Sequence, residues 1–286
     1  MTLPAHYFQC VDILRRICVN KPVKLPGEMD AQFIAFQLLR RQFPTAAIDE
    51  FFAHSEFFWL SEHFFANNSY LQNIKIPADG VRVGKLTLET AKPNGRYVVE
   101  PCIQASDGHV TFAGYDGDNA NHFLLKTDNN VVITAVSPKE MLTTAPAIKE
   151  AKGDVLCMGL GLGYFAYMAH LKSGVKSITI AEDNPYTIEL FKTYILPQFN
   201  HPEKIQIVPL SDFVYVDVYD FVFINFYDNS DEGVPAYMNM LRAGMVEDKI
   251  SYWMEDALLY KLSTTLGIDS PISREDAIKI AMATEK

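Results

Sequence analysis

The chain has 286 residues, of which 49% are apolar; this fills one large core or two modest ones, and the length predicts two domains. Thirty-five acidic against 25 basic side chains leave a net charge of -10, the opposite of the basic footprint that neutralises polynucleotide phosphates, so no nucleic-acid partner is expected. Cys10, Cys18, Cys102 and Cys157 form no CxxC pair, no basic-then-apolar leader precedes them, and no apolar run reaches the ~18 residues of a membrane helix; a cytoplasmic protein with reduced thiols and no membrane span is expected.

From Tyr7 to about Asn73 apolar residues recur at helical spacing in YFQCVDILRRICV, DAQFIAFQLLRRQ and AIDEFFAHSEFFWLSEHFF, which predicts three helices. Asp30 is the expected cap of the second, and Pro44 with Thr45 the break before the third. Seven of the fifteen positions from Phe51 to Phe65 are aromatic, more than one helical stripe holds, so this helix needs cover on several sides. Ordinary core is the first reading, with a homodimer surface or a substrate cover as alternatives.

Between about Asp79 and Ser137 the runs VRVGKLTLE, RYVVEPCIQA, HVTFAGY, HFLLKT and VVITAV predict an antiparallel sheet, with hairpin turns at Asn94-Gly95, Asp107-Gly108 and Asp116-Gly117. The stretch SPKEMLTTAPAIKEAKG is the expected boundary. From Asp154 the runs DVLCM, SITIA, IQIVP and DFVFIN alternate with helical patterns, one from Tyr164 to a Gly174 stop and one capped by Asn184 and Pro185, which argues a parallel sheet. KISYWM is a candidate fifth strand and EDALLYKLSTTL a helix. The expected organisation is a helical region over 1–75, an antiparallel β region over 76–137 and a Rossmann-like domain over 138–286.

In GDVLCMGLGLGYFAYMAHL a buried strand runs into Gly159, Leu160, Gly161 and Gly163 and then directly into a helix. A dinucleotide fingerprint wants G-x-G-x-x-G, but the third glycine comes one place early and Tyr164 occupies the later slot, so a pyrophosphate is the weaker ligand. G-x-G-x-G suits a ligand whose amino-acid end crosses bare backbone. Nineteen positions after Gly163, SITIA ends in Glu182 and Asp183, where a carboxylate of a βαβ unit faces the same crevice and can accept from both hydroxyls of a ribose. Asp212 and Phe213 follow the next strand, where an adenine ring would lie. Asn225, Phe226, Tyr227 and Asp228 close the fourth strand, where transfer chemistry belongs; Asp228 is the first candidate base and Tyr227 the second. Six acidic residues and no Lys or Arg between Asp212 and Glu232 favour a cationic or neutral small substrate, although a solvated acidic face explains the same count. His54 and His63, nine positions apart, lack the adjacent-turn spacing of paired ligands, and no metal is expected.

Over about residues 137 to 255 these motifs resemble the class I S-adenosylmethionine-dependent methyltransferases, and the β region followed by ITIAEDNP resembles the domain order of spermidine synthase-type aminopropyltransferases. The resemblance implies S-adenosylmethionine held by Gly159, Leu160, Gly161, Gly163, Tyr164, Glu182, Asp183, Asp212, Phe213 and Asn225, and methyl transfer to a small-molecule acceptor. Three departures stand out. The acidic residue often found two places before the first glycine is Cys157. Asn225 is an amide where aminopropyltransferases carry an aspartate, and no proline follows it as in amino-methylating enzymes; an amide takes up no proton at neutral pH, which opposes polyamine synthesis. Only 58 residues follow Asp228, so the sheet is expected to be shortened to about five strands. A cofactor-binding module without catalysis is the alternative reading.

Overall fold

The computed structural model describes residue 3 and residues 6–16, 31–92, 97–210, 218–227 and 229–283. Three helices come first: α1 (Tyr7–Arg16), α2 (Ala31–Leu39) and α3 (Thr45–Ala53). Tyr7, Cys10, Val11 and Leu14 form one helical stripe, and all four are buried against Ile34, Leu39, Ile48 and Phe51. The Asp30 cap lies outside the described residues.

The third helix is shorter than its sequence pattern predicts. It stops at Ala53, and the chain continues as strand β1 (Ser55–Trp59), then helices α4 (Glu62–Ala66) and α5 (Ser69–Asn73). The aromatic run that no single helix face can cover is divided between elements. Phe57 stacks on Phe112 at 4.9 Å and 8°, and Phe51 meets the same ring edge-on. The Tyr7 hydroxyl fastens the break, donating to the His54 carbonyl at 2.9 Å and accepting from the Val110 amide at 2.8 Å.

All the β-rich runs form strands: β2 (Val81–Val83), β3 (Leu86–Ala91), β4 (Tyr97–Gln104), β5 (Val110–Asp116), β6 (His122–Thr127) and β7 (Val132–Val136). They do not make one antiparallel sheet. β1, β5 and β4 form a three-stranded sheet in which β1 runs parallel to β5, while β2, β3, β6 and β7 form a four-stranded antiparallel sheet. Gly108 takes its predicted positive φ of 92° between β4 and β5. Gly117 does not; there Asp116 accepts from the Asp118 amide and starts a short 3-10 turn. The Asn94-Gly95 turn lies outside the described residues.

The stretch expected as a boundary is a 13-residue helix, α6 (Pro138–Glu150). After it come β8 (Gly153–Met158), α7 (Tyr164–His170), β9 (Val175–Ala181), α8 (Pro185–Leu190), β10 (Ile205–Val208), β11 (Phe221–Ile224), α9 (Ser230–Arg242), β12 (Ile250–Tyr252), α10 (Glu255–Thr265) and α11 (Arg274–Ala283). Asn184 caps α8 as predicted, its side chain accepting from the Tyr186 and Thr187 amides. Helix α7 ends at His170 rather than reaching Gly174.

The third sheet is the expected Rossmann-like one: five strands, all parallel, in the order β10-β9-β8-β11-β12. From β8 the chain moves outward through β9 and β10 and then returns to β11 on the other side. Loops leaving β8 and β11 therefore diverge and open a crevice at the strands' carboxyl ends. Leu86, Leu88, Phe123, Leu125 and Val136 of the four-stranded sheet share one apolar cluster with this sheet's core, which seats β6 and β7 beside that crevice. Among the described residues no helix is long and apolar enough to cross a membrane.

Candidate functional site

The bend after β8 carries Gly159, Gly161 and Gly163 at φ of 102°, 52° and 72°, all in the left-handed region that glycine alone enters without strain. Their surroundings differ. A Cβ on Gly159 would lie 2.0 Å from the Asn225 carbonyl oxygen, and one on Gly163 would lie 2.3 Å from the Phe191 ring. Both glycines are thus required by the protein's own packing. On Gly161 the nearest atom would be the Thr134 hydroxyl at 3.5 Å, so this is the glycine that offers bare backbone to a ligand.

Glu182 turns toward the bend. Its Oε2 accepts from the Leu160 amide at 3.1 Å, and its Oε1 accepts from the Asp183 amide at 3.0 Å and the Asn184 amide at 2.9 Å. A carboxylate offers about four lone-pair sites, and three are taken by backbone. One acceptor site is left, on Oε2, where pairing both ribose hydroxyls with Glu182 would need two. Asp183 lines the same cavity beside it.

That cavity, of about 520 Å³, occupies the crevice where the strand order reverses. Gly159, Leu160, Gly161, Glu182, Asp183 and Asn184 line it from the ends of β8 and β9, and Asn225, Phe226 and Tyr227 from the end of β11. Leu125 of β6 and residues 132–135 of β7 form the facing wall, completed by Lys139 and Glu140 of α6 and by Trp253.

Several predicted site residues lie elsewhere or in other roles. Tyr164 does not line the cavity: its hydroxyl accepts from the Asn68 amide at 3.0 Å, and its ring packs on Tyr70. It is held by α5, where an aromatic ring finds a closed apolar site. Tyr227 lines the cavity, but its hydroxyl donates to the Trp253 carbonyl at 2.5 Å, and burial pushes its pKa well above the ordinary phenol value. A hydroxyl so bound and so reluctant to ionise is no general base near neutrality. Asp212, Phe213 and Asp228 lie outside the described residues.

Glu140 and Lys139 are the functional candidates that the sequence reading missed. Burial pushes the Glu140 carboxyl up to about 7, opposed by the Thr144 hydroxyl, the Lys139 ammonium and the Asn225 amide. Lys139 Nζ lies 5.5 Å from the centroid of the Trp253 ring, whose Nε1 donates to Thr143 Oγ1 at 2.8 Å. Ser137-Pro138-Lys139-Glu140 has the form of a helix start, a polar cap with proline in the first turn, and that signal placed these two side chains on the opening turn of α6. Cys157, which stands where the resemblance expects an acid, is buried with its thiol donating to the Gly159 carbonyl at 3.1 Å. Burial raises its pKa, and the Glu140 and Glu182 carboxylates raise it further, so a carboxylate from α6 stands close to the place that Cys157 leaves without one.

No protein-family model and no curated protein matches the chain. Solved structures similar to it include the following three. A Pyrococcus horikoshii protein assigned as an RNA methyltransferase is 24% identical over 31% of this chain and 42% of that one, with a TM-score of 0.25. Spermidine synthase of Thermotoga maritima is 16% identical over 40% and 44%, with a TM-score of 0.30. Wild-type Trm5b of Pyrococcus abyssi is 14% identical over 93% and 73%, with a TM-score of 0.32. The match spans less than half the length of the first two. Strand order and switch point, not these distant likenesses, define the fold described above.

Proposed function

We propose that the chain is an S-adenosylmethionine-dependent methyltransferase acting on a small-molecule acceptor. One observation carries the reading: the open bend at Gly161 and the Glu182 carboxylate meet on a single cavity at the switch point, tied together by the Leu160 amide. The residues present fit the group. A volume of about 520 Å³ falls within the ~300–1,000 Å³ range of small-molecule sites. Gly161 gives bare backbone for the methionine part to cross, Glu182 and Asp183 offer acceptors to the ribose, and Leu125, Ile133 and Leu210 give an apolar wall for the purine. Glu140 is the carboxylate for the methionine ammonium.

Bound there, S-adenosylmethionine supplies a methyl group on a sulfonium whose leaving group is neutral. The protein's task is then largely to hold and align the reactants and keep water out, and a dedicated base is optional. A second reading, binding without catalysis, is favoured by two observations. The Asn225 amide takes no proton, and the Tyr227 hydroxyl is committed to Trp253.

Thermal unfolding with S-adenosylmethionine tests binding: at about 100 times Kd the fold gains roughly 2.7 kcal/mol, and an unmoved transition removes the reading. Transfer of labelled methyl into a cell extract separates the two, since a binding module leaves no labelled product.

A further inference from the structure

We infer that Lys139 is a specificity-determining residue: its ammonium takes the α-carboxylate of S-adenosylmethionine, so that the chain selects this cofactor over the decarboxylated form. The inference rests on reading the switch-point cavity as the S-adenosylmethionine site and adds a residue and a preference to that reading. Among the described lining residues Lys139 is the single cation, and Glu140, Glu182 and Asp183 are the carboxylates that share the cavity with it.

Lys139 and Glu140 are consecutive on the opening turn of α6, and both line the cavity, yet their side chains rest on different partners. Glu140 accepts from the Asn225 side chain at the end of β11 and stands near Cys157 of β8. Lys139 Nζ lies 5.5 Å from the centroid of the Trp253 ring, just past the end of β12. That ring is fixed in turn. Its Nε1 donates to Thr143 Oγ1 at 2.8 Å, one turn further along α6, and the Trp253 backbone amide donates to the Ile224 carbonyl at 2.9 Å. A carboxylate toward β8 and an ammonium toward β12 are therefore held side by side on the cavity that Gly161 opens.

Charge complementarity selects the ligand group. An amino-acid end carries an ammonium and a carboxylate on one carbon, and each meets its opposite here, Glu140 for the first and Lys139 for the second. The charge of Lys139 already stabilises the Glu140 and Glu100 carboxylates. A lysine ammonium has three donors on a flexible stem, so it can turn one to a ligand and stay between these groups. The rest of the lining argues the other way: three carboxylates against one ammonium favour the more cationic ligand, and loss of its carboxylate makes the cofactor more cationic. A preference for the carboxylated form thus reports a local pair and not the cavity's overall field. Contact wins over field because a charge-assisted bond is short, directional and roughly twice as strong as a neutral one.

Titration calorimetry with S-adenosylmethionine, its decarboxylated form and methylthioadenosine tests the assignment. Wild type should bind S-adenosylmethionine at least about tenfold more tightly than the decarboxylated form, the worth of a hydrogen bond between charged groups. In Lys139→Met that preference should vanish through weaker binding of S-adenosylmethionine, with the decarboxylated form bound as well as before or better, and Lys139→Arg should keep it. Equal affinities in wild type, a preference that survives in Lys139→Met, or an equal loss for both cofactors overturns the inference. Thermal unfolding of each variant is recorded, and should Lys139→Met fail to fold, the wild-type and Lys139→Arg preferences decide. Binding of none of the three compounds removes the cofactor reading, whereas binding of all three without preference removes the role of Lys139 alone.

Discussion

The Tyr70 hydroxyl donates to the Leu162 carbonyl at 2.5 Å, so helix α5 holds the middle of a glycine bend that lies 92 residues further along the chain. Asn68, on the same turn, donates to the Tyr164 hydroxyl, and the Tyr70 ring packs edge-on against both Tyr164 and Tyr167. The first third of the protein thus fixes the shape of the proposed cofactor loop from behind.

Tyr70→Phe should destabilise the fold by about 1–2 kcal/mol, because a buried carbonyl loses its donor while ring packing is kept. It should also weaken S-adenosylmethionine binding, since the bend is no longer held. Chemical denaturation and calorimetric titration of one sample check both. Equal affinity in the variant would mean that the bend holds its form without Tyr70.

Glu182→Ala strands three backbone amides, those of Leu160, Asp183 and Asn184. A stability loss of about 1–3 kcal/mol is expected from these half-exposed bonds, together with most of the ligand-induced stabilisation. Thermal scans with and without S-adenosylmethionine separate the two losses, and a variant that keeps the full ligand shift would refute the ribose assignment.

Gly159→Ala and Gly161→Ala should fail in different ways. Both force a left-handed residue to carry a Cβ, at roughly 1–2 kcal/mol. At Gly159 the new atom also collides with the Asn225 carbonyl, so the variant should be severely destabilised. At Gly161 it meets only the Thr134 hydroxyl, at an ordinary contact distance of 3.5 Å, so folding should survive while ligand affinity drops. Circular dichroism melts paired with titration calorimetry would reveal the reverse order, if the bend's glycines serve otherwise.

Glu140 makes stability depend on pH with a definite sign. Its carboxyl is raised from 4.5 to about 7 in the folded protein, so between those values the native state holds a proton that the unfolded chain has lost. The stabilisation is complete below pH ~4.5 and disappears as pH climbs through 7, amounting to about 1–3 kcal/mol. Urea unfolding from pH 5 to 8 should therefore fall more steeply in wild type than in Glu140→Gln. The ligand has the opposite trend. An ammonium needs the ionised carboxylate, so S-adenosylmethionine should bind more tightly as pH rises from 6 to 8. Methylthioadenosine, which lacks the amino-acid part, should bind without that slope and equally well to Glu140→Gln.

Local pattern determined a good deal of this molecule. Alternating β-branched and helical runs located all five strands of the parallel sheet, because a strand buried on both faces must be apolar throughout. Glycine spacing and a carboxylate at the end of the next strand marked one crevice, because βα loops of adjacent parallel strands open on the same side. Long-range packing decided the rest. It broke the aromatic helix into α3 and β1, since those rings found cover on β5 rather than along one helix axis. Gly159 and Gly163 serve the fold and Gly161 faces the cavity, a distinction that depends on Asn225 and Phe191, far away in sequence. Glu140 and Lys139 looked like linker residues until α6, packed on β4 and β7, set them on the wall of the cavity. A side chain's neighbours across space set its acidity and its access to a ligand, and these contacts join segments that no local period links.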